Sequence, residues 1–390
     1  MLALIIVAAL LFCTACGLVG YTIADIWGDR IEIEDGGGVV PNGTTGGSTT
    51  GEVNGMGDAP SYPYAGVTIT QNDGSALVGS TNGSAGANAT TRIAAVAAVR
   101  DSVVEISTTT ISNRGQLTAG AGSGVIIHAD GIVVTNNHVI DGVSNIYVRL
   151  TNGNTYEAYL RGTDEENDIA ILKITPKETL TVAKLGNSAA LALGEDVFAI
   201  GNPLGELGGT VTEGIISALG REVQMSDGTV MTLLQTSAAI NSGNSGGGLF
   251  NMAGELIGVV NAKYSATGVE GLGFAIPVDT ALISINALLQ YGYIPGRPSL
   301  GVTVADGTFK TGSGFFAEYR TFPYVYEASD ASALKANDII YAVDGVDVSS
   351  VAELKSLIRP KKVGDTVILS IYRGSQQTTV SVTLVEYRPQ

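Results

Sequence analysis

Three short strings in this chain carry residue types that do chemistry together. Residues 240–250 read INSGNSGGGLF, with Ser245 flanked by Gly243, Gly246, Gly247 and Gly248. Glycine is needed where backbone approaches a substrate closely or takes φ > 0. A nucleophilic serine needs backbone N–H groups aimed at the oxyanion that forms on an attacked carbonyl. Gly243 and Ser245 are placed to supply them; the competing reading is a plain Gly-rich turn, in a chain with 52 Gly. Residues 133–140 read VVTNNHVI, with His138 just after a predicted strand. Histidine titrates near neutral pH and suits a general base. In NDIAILKI, Asp168 enters an alternating apolar strand, where an ionised carboxylate is costly unless paired. Accepting from an imidazole Nδ1–H, it would fix the tautomer and stabilise the imidazolium. The alternative is an Asp in a strand-start turn, a place that Asp164, Glu165 and Glu166 fit better. His128, before Ala-Asp-Gly, reads as a solvated or structural turn residue.

The elements that must position these groups are strands. From Val103 onward, short β-branched runs alternate with turns: VVEISTTTI, GVIIHADGIVVTNN, NIYVRL, TYEAYLRG, DIAILKIT, DVFAIGNP, GTVTEGIISAL and GELIGVVNAK. Runs of this length bounded by Gly, Asn and Asp predict an all-β barrel or sandwich, as one domain or two fused barrels. Asp130-Gly131 marks a hairpin. Ahead of the strands, Arg92–Arg100 predicts a short helix. The order His138, Asp168, Ser245 is that of chymotrypsin-like proteases. After Pro295-Gly296-Arg297-Pro298 a second unit begins. It reads strand (LGVTV), loop, strand (YVYEA), helix or turn (ASALKAN), strand (DIIYAVDG), helix (SVAELKSLI) and two strands (TVILSIYR, TTVSVTLVEYR), a small α+β domain.

Composition narrows the classes. The net charge is −16 with a sequence pI near 4.5, which argues against nucleic acid or anionic lipid as the main partner. Two Cys, at 13 and 16, rule out a disulfide-built scaffold and a Cys-rich zinc site, and two His leave little room for a His-based metal centre; no metal and no cofactor is implied. Residues 1–24 carry no charged side chain. As a helix they reach about 36 Å, enough to span a bilayer core of about 30 Å. We read a transmembrane anchor with the remainder outside the cytoplasm; the rival is a lipoprotein processing site at Cys16. Residues 25–91 are rich in Gly, Ser, Thr and Asn, with no Lys or Arg between Arg30 and Arg92. Such a stretch predicts a flexible tether of about 40 Å r.m.s. span. The expected organisation is an anchor (1–24), a linker (25–91), a β domain (92–294) and a small α+β domain (295–390).

The chain resembles the HtrA/Deg family of serine proteases. The matching strings are RIAAVAAVRDSVVEI, GSGVIIHADGIVVTNNHVI, DIAILKI, GNPLGELGGTVTEGIISALGRE, QTSAAINSGNSGG and GLGFAIPVD. The C-terminal unit is similar to a PDZ domain through LGVTV, ALKANDII, VDGVDVSSVAELKSLI and VGDTVILSIYRG. The resemblance implies a mainly β fold: a chymotrypsin-like double β-barrel followed by a PDZ domain. It implies catalysis by His138, Asp168 and Ser245, and an oxyanion hole from the backbone of Gly243, Asn244 and Ser245. It implies a substrate pocket involving Ile240, Asn261, Ala262 and Lys263, and a regulatory Arg221. Leu300, Gly301 and Val302 would bind a peptide carboxylate in the PDZ domain. The implied activity is ATP-independent cleavage of misfolded extracytoplasmic proteins, by a homotrimer at the bacterial cell membrane. The alternative is a latent or inactive protease fold acting as a chaperone or adaptor. Three departures stand out. Gly248 replaces the usual Pro or Ala, which would loosen the loop beside the nucleophile. Asn337 replaces a usual Gly, a mild change since Asn tolerates φ > 0. Residues 303–329 follow the PDZ pattern poorly, and their aromatics (Phe315, Phe316, Tyr319, Phe322, Tyr324, Tyr326) are either core or groove-shaping.

Overall fold

The computed structural model describes residues 69–71, 85–111, 117–202, 209–224, 230–264, 272–311, 318–329 and 332–388. The predicted anchor over 1–24 and most of the predicted linker over 25–91 lie outside the described residues. Among the described residues no helix is long and apolar enough to cross a membrane. The chain divides into two compact units, one running up to Gly296 and one spanning Arg297–Glu386.

The first unit holds two seven-stranded sheets. One takes β1 (Val103–Ile111), β2 (Leu117–His128), β3 (Ile132–Thr135), β4 (Asn145–Arg149), β5 (Thr155–Glu157), β6 (Tyr159–Asp164) and β7 (Ile169–Lys173), in the order β5-β4-β1-β2-β3-β7-β6. The run TYEAYLRG, predicted as one strand, changes partners at Ala158, whose N–H donates to Ile146 O at 2.9 Å. Its first half pairs with β4 and its second with β7, so one bent strand closes the sheet into a barrel. The β2–β3 hairpin turns at Asp130-Gly131 as expected, with Gly131 at φ 85°.

The second sheet takes β8 (Lys184–Leu185), β9 (Asp196–Gly201), β10 (Thr210–Gln224), β11 (Val230–Thr236), β12 (Gly248–Asn251), β13 (Glu255–Val260) and β14 (Gly273–Pro277). The order is β12-β9-β10-β11-β14-β13-β8, and β12 also pairs with β13, closing a second barrel. The near-continuous hydrophobicity of these strands now has a reason. Val104, Ile106, Ile126, Val133, Ala170 and Leu172 pack together on one face, inside the first barrel. Val197, Ala199, Leu249, Ile257 and Ala275 do the same in the second. Their alternates, among them Val103, Val125, Ile132, Ile169, Phe198, Ile200, Phe250 and Leu256, join one layer shared by both barrels. Strands apolar on both faces read as unbroken runs.

Two helices add to that shared layer. Helix Ala85–Val99 contributes Ala95 and Val99. It starts ahead of the predicted Arg92, since Ala85, Ala87 and Ala89 are strong helix formers. Helix Val278–Tyr291, which the strand pattern did not announce, contributes Val278, Ala281, Ile285 and Leu288. It ends at Gly292 in the left-handed conformation (φ 79°).

The second unit is built on β15 (Pro298–Ser299), β16 (Thr303–Thr311), β17 (Glu318–Glu327), β18 (Ile339–Val343), β19 (Val346–Asp347), β20 (Thr366–Arg373), β21 (Gln376–Thr383) and β22 (Val385–Glu386). The main sheet runs β16-β17-β18-β20-β21, with β19 on β18, while β15 pairs with β22. Helix Val351–Ile358 is capped by Ser350, whose side chain accepts from Glu353 N–H. The loop predicted after LGVTV is instead a long hairpin, paired from Thr303↔Glu327 to Thr311↔Glu318. Its β-branched and aromatic residues, Thr308, Phe309, Thr321 and Phe322, favour strand. Tyr324 is buried in a small cluster with Ile339 and Tyr372, against which Phe309 and Phe322 pack, whereas Tyr319 and Tyr326 are exposed. Phe315 and Phe316 lie outside the described residues. Asn337 takes φ 70°, the conformation that makes its replacement of Gly tolerable.

The expectation that Gly248 loosens the nucleophile loop fails. Gly248 is a buried residue of β12, paired with Ile200 on one side and Val259 on the other. A Cβ there would run into the Phe250 ring, which stacks on Phe198 with centroids 5.6 Å apart. Glycine is the consequence of a large aromatic two residues on. Gly248→Ala is therefore expected to destabilise by about 1–3 kcal/mol through overpacking. Thermal denaturation of Gly248→Ala and of Gly248→Ala/Phe250→Leu checks this: the second change restores much of the lost stability.

Candidate active site

The site lies where loops of the two barrels meet. β3 ends at Thr135, and a single helical turn over Asn137–Ile140 presents His138. Asp168 precedes β7 at φ 50°, in the left-handed region that side chains seldom enter. It is buried, and five groups hold it. Its Oδ2 lies 2.6 Å from His138 Nδ1 and accepts from Asn261 Nδ2 at 2.8 Å. Its Oδ1 accepts from His138 N–H at 2.9 Å. Its backbone carbonyl accepts from Asn136 Nδ2 at 3.0 Å and from Asn137 N–H at 3.2 Å. A carboxylate accepts and does not donate, so the proton between the two side chains sits on Nδ1. That leaves Nε2 as an acceptor, 3.0 Å from Ser245 Oγ.

Ser245 follows a one-turn 3₁₀ helix over Ser242–Asn244 and is itself nearly buried. Its Oγ also accepts from Ala262 N–H at 3.2 Å. The glycines after it have no substitutes. Gly246 sits at φ 82°, where a Cβ would overlap Ser123 O and Thr135 Oγ1, and a Cβ on Gly247 would overlap Ile200 O. Their N–H groups donate to Val260 O and Asn244 O, both at 2.9 Å.

One residue that sequence reasoning missed ties the barrels together. Ser123, on β2, donates its N–H to Ser245 O at 2.8 Å and its Oγ–H to Gly243 O at 2.7 Å. Its Oγ accepts from Asn202 N–H at 2.8 Å, and its carbonyl accepts from Thr135 Oγ1 at 2.7 Å. The nucleophile loop of the second barrel is thus held at both ends by one serine of the first. The only signal in the sequence was a small residue between two glycines, in GSGVIIH.

Of the remaining predicted residues, some join the site and others lie elsewhere. Asn244 N–H closes the 3₁₀ turn on Asn241 O at 2.8 Å, so it is committed within the loop. Asn261, expected in the substrate pocket, turns its side chain to Asp168 instead, because the buried carboxylate needs a second donor. Ala262 reaches Ser245 through its backbone, while its side chain shares an apolar cluster with Ile240. Lys263 N–H donates to Asn261 Oδ1 at 3.2 Å, steadying that amide. Arg221 is exposed on β10 opposite Leu233. His128 stays in its turn, where Asp130 N–H donates to its Nδ1. In the second unit Leu300 is part of the core. Gly301 (φ 70°) donates its N–H to Ser299 Oγ at 3.1 Å, and Val302 packs at the core margin. β16, the strand that follows, is the edge of its sheet. Among the described residues no group of three or more His, Cys, Asp or Glu side chains is arranged to hold a metal ion.

With this geometry in place, known proteins can be compared. Residues 122–259 match the trypsin-like peptidase domain family and residues 323–384 match the PDZ domain family. The serine protease Do-like HtrA of Lactobacillus helveticus is 39% identical over 293 residues, covering 70% of each chain. The chain belongs to the HtrA family of trypsin-like serine proteases. The serine protease Do-like HtrB of Bacillus subtilis is 40% identical over 284 residues, 68% of this chain and 62% of that one. The chain thus spans about three fifths of that relative's length. Among solved structures, a form of the HtrA-type protease AlgW with decapeptide superposes with a TM-score of 0.51 at 30% identity, over 76% of this chain and 98% of that chain.

Within an HtrA-type site, Asn261 has a measurable duty. Asn261→Leu removes one donor from a buried anion, an interaction of about 1.5–3 kcal/mol. Acylation of Ser245 by an activated ester is expected to slow about tenfold to a hundredfold, with the far-ultraviolet circular dichroism unchanged. An unaltered acylation rate would make this amide dispensable.

Proposed function

We propose that this chain is a serine endopeptidase that cuts unfolded or damaged proteins. The observation that carries the reading is the unbroken line of bonds from Asp168 through His138 to Ser245 Oγ. Ser245 Oγ attacks the scissile carbonyl carbon while its proton passes to His138 Nε2. Asp168 holds the imidazolium that results. His138 then protonates the leaving amine, and water, deprotonated by the same nitrogen, hydrolyses the acyl-enzyme. Gly243 and Ser245 N–H groups are the donors left for the oxyanion, given that Asn244 N–H is committed. Ile240 and Ala262 form an apolar wall suited to small aliphatic side chains. Residues 1–24 anchor the protein in a bacterial cell membrane, with both folded units on the extracytoplasmic side and the protease units assembled as a homotrimer. The PDZ unit captures peptide C-termini by strand addition at the free edge of β16.

A second reading, a latent resting state, has its own support. In a 3₁₀ turn the N–H groups point back along the chain and the carbonyls forward. With Ser242–Asn244 wound this way, Gly243 N–H points away from Ser245. An oxyanion hole would then require the Ser242–Gly243 peptide to rotate.

Incubation of the purified full-length chain with a permanently unfolded protein tests both. The wild type is expected to cleave it, and Ser245→Ala to cleave nothing above background, a loss of at least about 10³-fold. Cleavage that begins only when a C-terminal peptide is added supports the latent state. No cleavage by the wild type under either condition contradicts the proposal.

A further inference from the structure

Residues 69–71 belong to the stretch whose composition reads as a free linker, yet they are built into the protease unit. Ile69 is only 6% exposed and joins the apolar layer that contains Ala281, Ile285 and Leu288 of helix Val278–Tyr291. One side chain of that helix holds both backbone groups of Ile69. Asn286 Oδ1 accepts from Ile69 N–H at 3.2 Å, and Asn286 Nδ2 donates to Ile69 O at 3.2 Å. Seven residues earlier on the same helix, Asp279 Oδ1 accepts from Gln71 Nε2. Asp279 is fixed independently of this segment. Its Oδ2 accepts from Ser188 Oγ at 2.7 Å and Ala189 N–H at 2.8 Å, and its own N–H donates to Ser188 Oγ at 3.1 Å.

The spacing is that of a helix face reading an extended chain. Positions i and i+7 lie about 10.5 Å apart along a helix, and alternate residues of a strand about 6.6 Å apart; the long Gln71 side chain covers the difference. The segment runs antiparallel to the helix. The amide clamp reads backbone and is blind to sequence. The apolar seat and the carboxylate add selectivity for a β-branched or aliphatic residue followed two positions later by a hydrogen-bond donor.

We infer that helix Val278–Tyr291 carries a docking site for an extended peptide segment, separate from the triad, whose resident occupant is residues 69–71 of the same chain. The upstream 68 residues therefore attach to the protease unit at this helix, not at the start of helix Ala85–Val99. Undocking frees the 15 residues between Ile69 and Ala85 and lengthens the reach of the upstream segment by up to about 50 Å. Only this consequence rests on the anchored reading proposed above; the dock itself does not.

Hydrogen exchange on the full-length chain tests the dock without reference to proteolysis. The Ile69 amide is expected to exchange about 10- to 100-fold more slowly in the wild type than in Asn286→Leu. A labelled peptide of residues 66–72 (GVTITQN) is expected to bind the Ile69→Asp chain, whose dock is vacated. It is expected to bind neither the wild type nor Ile69→Asp/Asn286→Leu. Ester acylation of Ser245 by Ile69→Asp at the wild-type rate confirms that the protease unit stays folded. Equal Ile69 exchange in the wild type and Asn286→Leu, or peptide binding that ignores Asn286, overturns the inference.

Discussion

The carboxylate of Asp168 is buried, in a left-handed backbone conformation, and in contact with both strand-end loops that build the site. A non-glycine residue there costs about 1–2 kcal/mol, and an unpaired buried carboxylate costs more. Against this stand three hydrogen bonds to the charged group, each contributing about 1.5–3 kcal/mol. The bonds win, but only jointly, so the strain is tolerated because His138 and Asn261 are both in place. The same bonds leave imidazole Nε2 as the acceptor facing Ser245. The local backbone conformation and the imidazole tautomer are thereby held by the same set of bonds.

Ser245 is located by a second set of contacts. Ser123 bridges from the first barrel to the backbone on both sides of Asn244, and Gly246 and Gly247 fit only because they lack a Cβ. The residues after Ser245 are locked into β12 and β13, while those before it form a one-turn helix tied to the first barrel through Gly243 O. The part of the loop fixed by β pairing carries the nucleophile. The one-turn helix before it carries the Gly243 N–H, one of the two proposed oxyanion donors. A site built this way can keep its triad assembled while its oxyanion hole is made or unmade.

The hydrogen-bonded array of Asp168, His138 and Ser245 was legible because each residue sits in a string whose chemistry is specific to type: a Gly-flanked Ser, a His after a strand, an Asp entering an apolar run. The strands were legible as β-branched runs, apolar on both faces because they serve two different cores; their closure into two barrels was implied only by the family resemblance. What escaped was what residue type alone does not encode. Asn261 and Ser123 are ordinary polar residues in sequence, and only their position opposite Asp168 and Gly243 gives them a role. Gly248 looked like a flexibility signal because the Phe250 ring that occupies its Cβ space is a tertiary fact. The hairpin over Thr303–Glu327 was hidden by charged and glycine residues between its aromatics. Ile69 was hidden because the alternation Val67-Thr68-Ile69-Thr70 is short and sits inside a Gly-, Ser-, Thr- and Asn-rich stretch.

The central claim is that Asp168, through the imidazole tautomer, makes Ser245 a nucleophile. The most direct measurement is the rate at which a fluorophosphonate labels the wild type and Asp168→Asn, with circular dichroism confirming that both are folded. An Asn side chain at this position donates to Nδ1 and moves the proton to Nε2, facing Ser245. The account predicts labelling slower by about 10⁴-fold in the variant. Labelling of folded Asp168→Asn at the wild-type rate would contradict it.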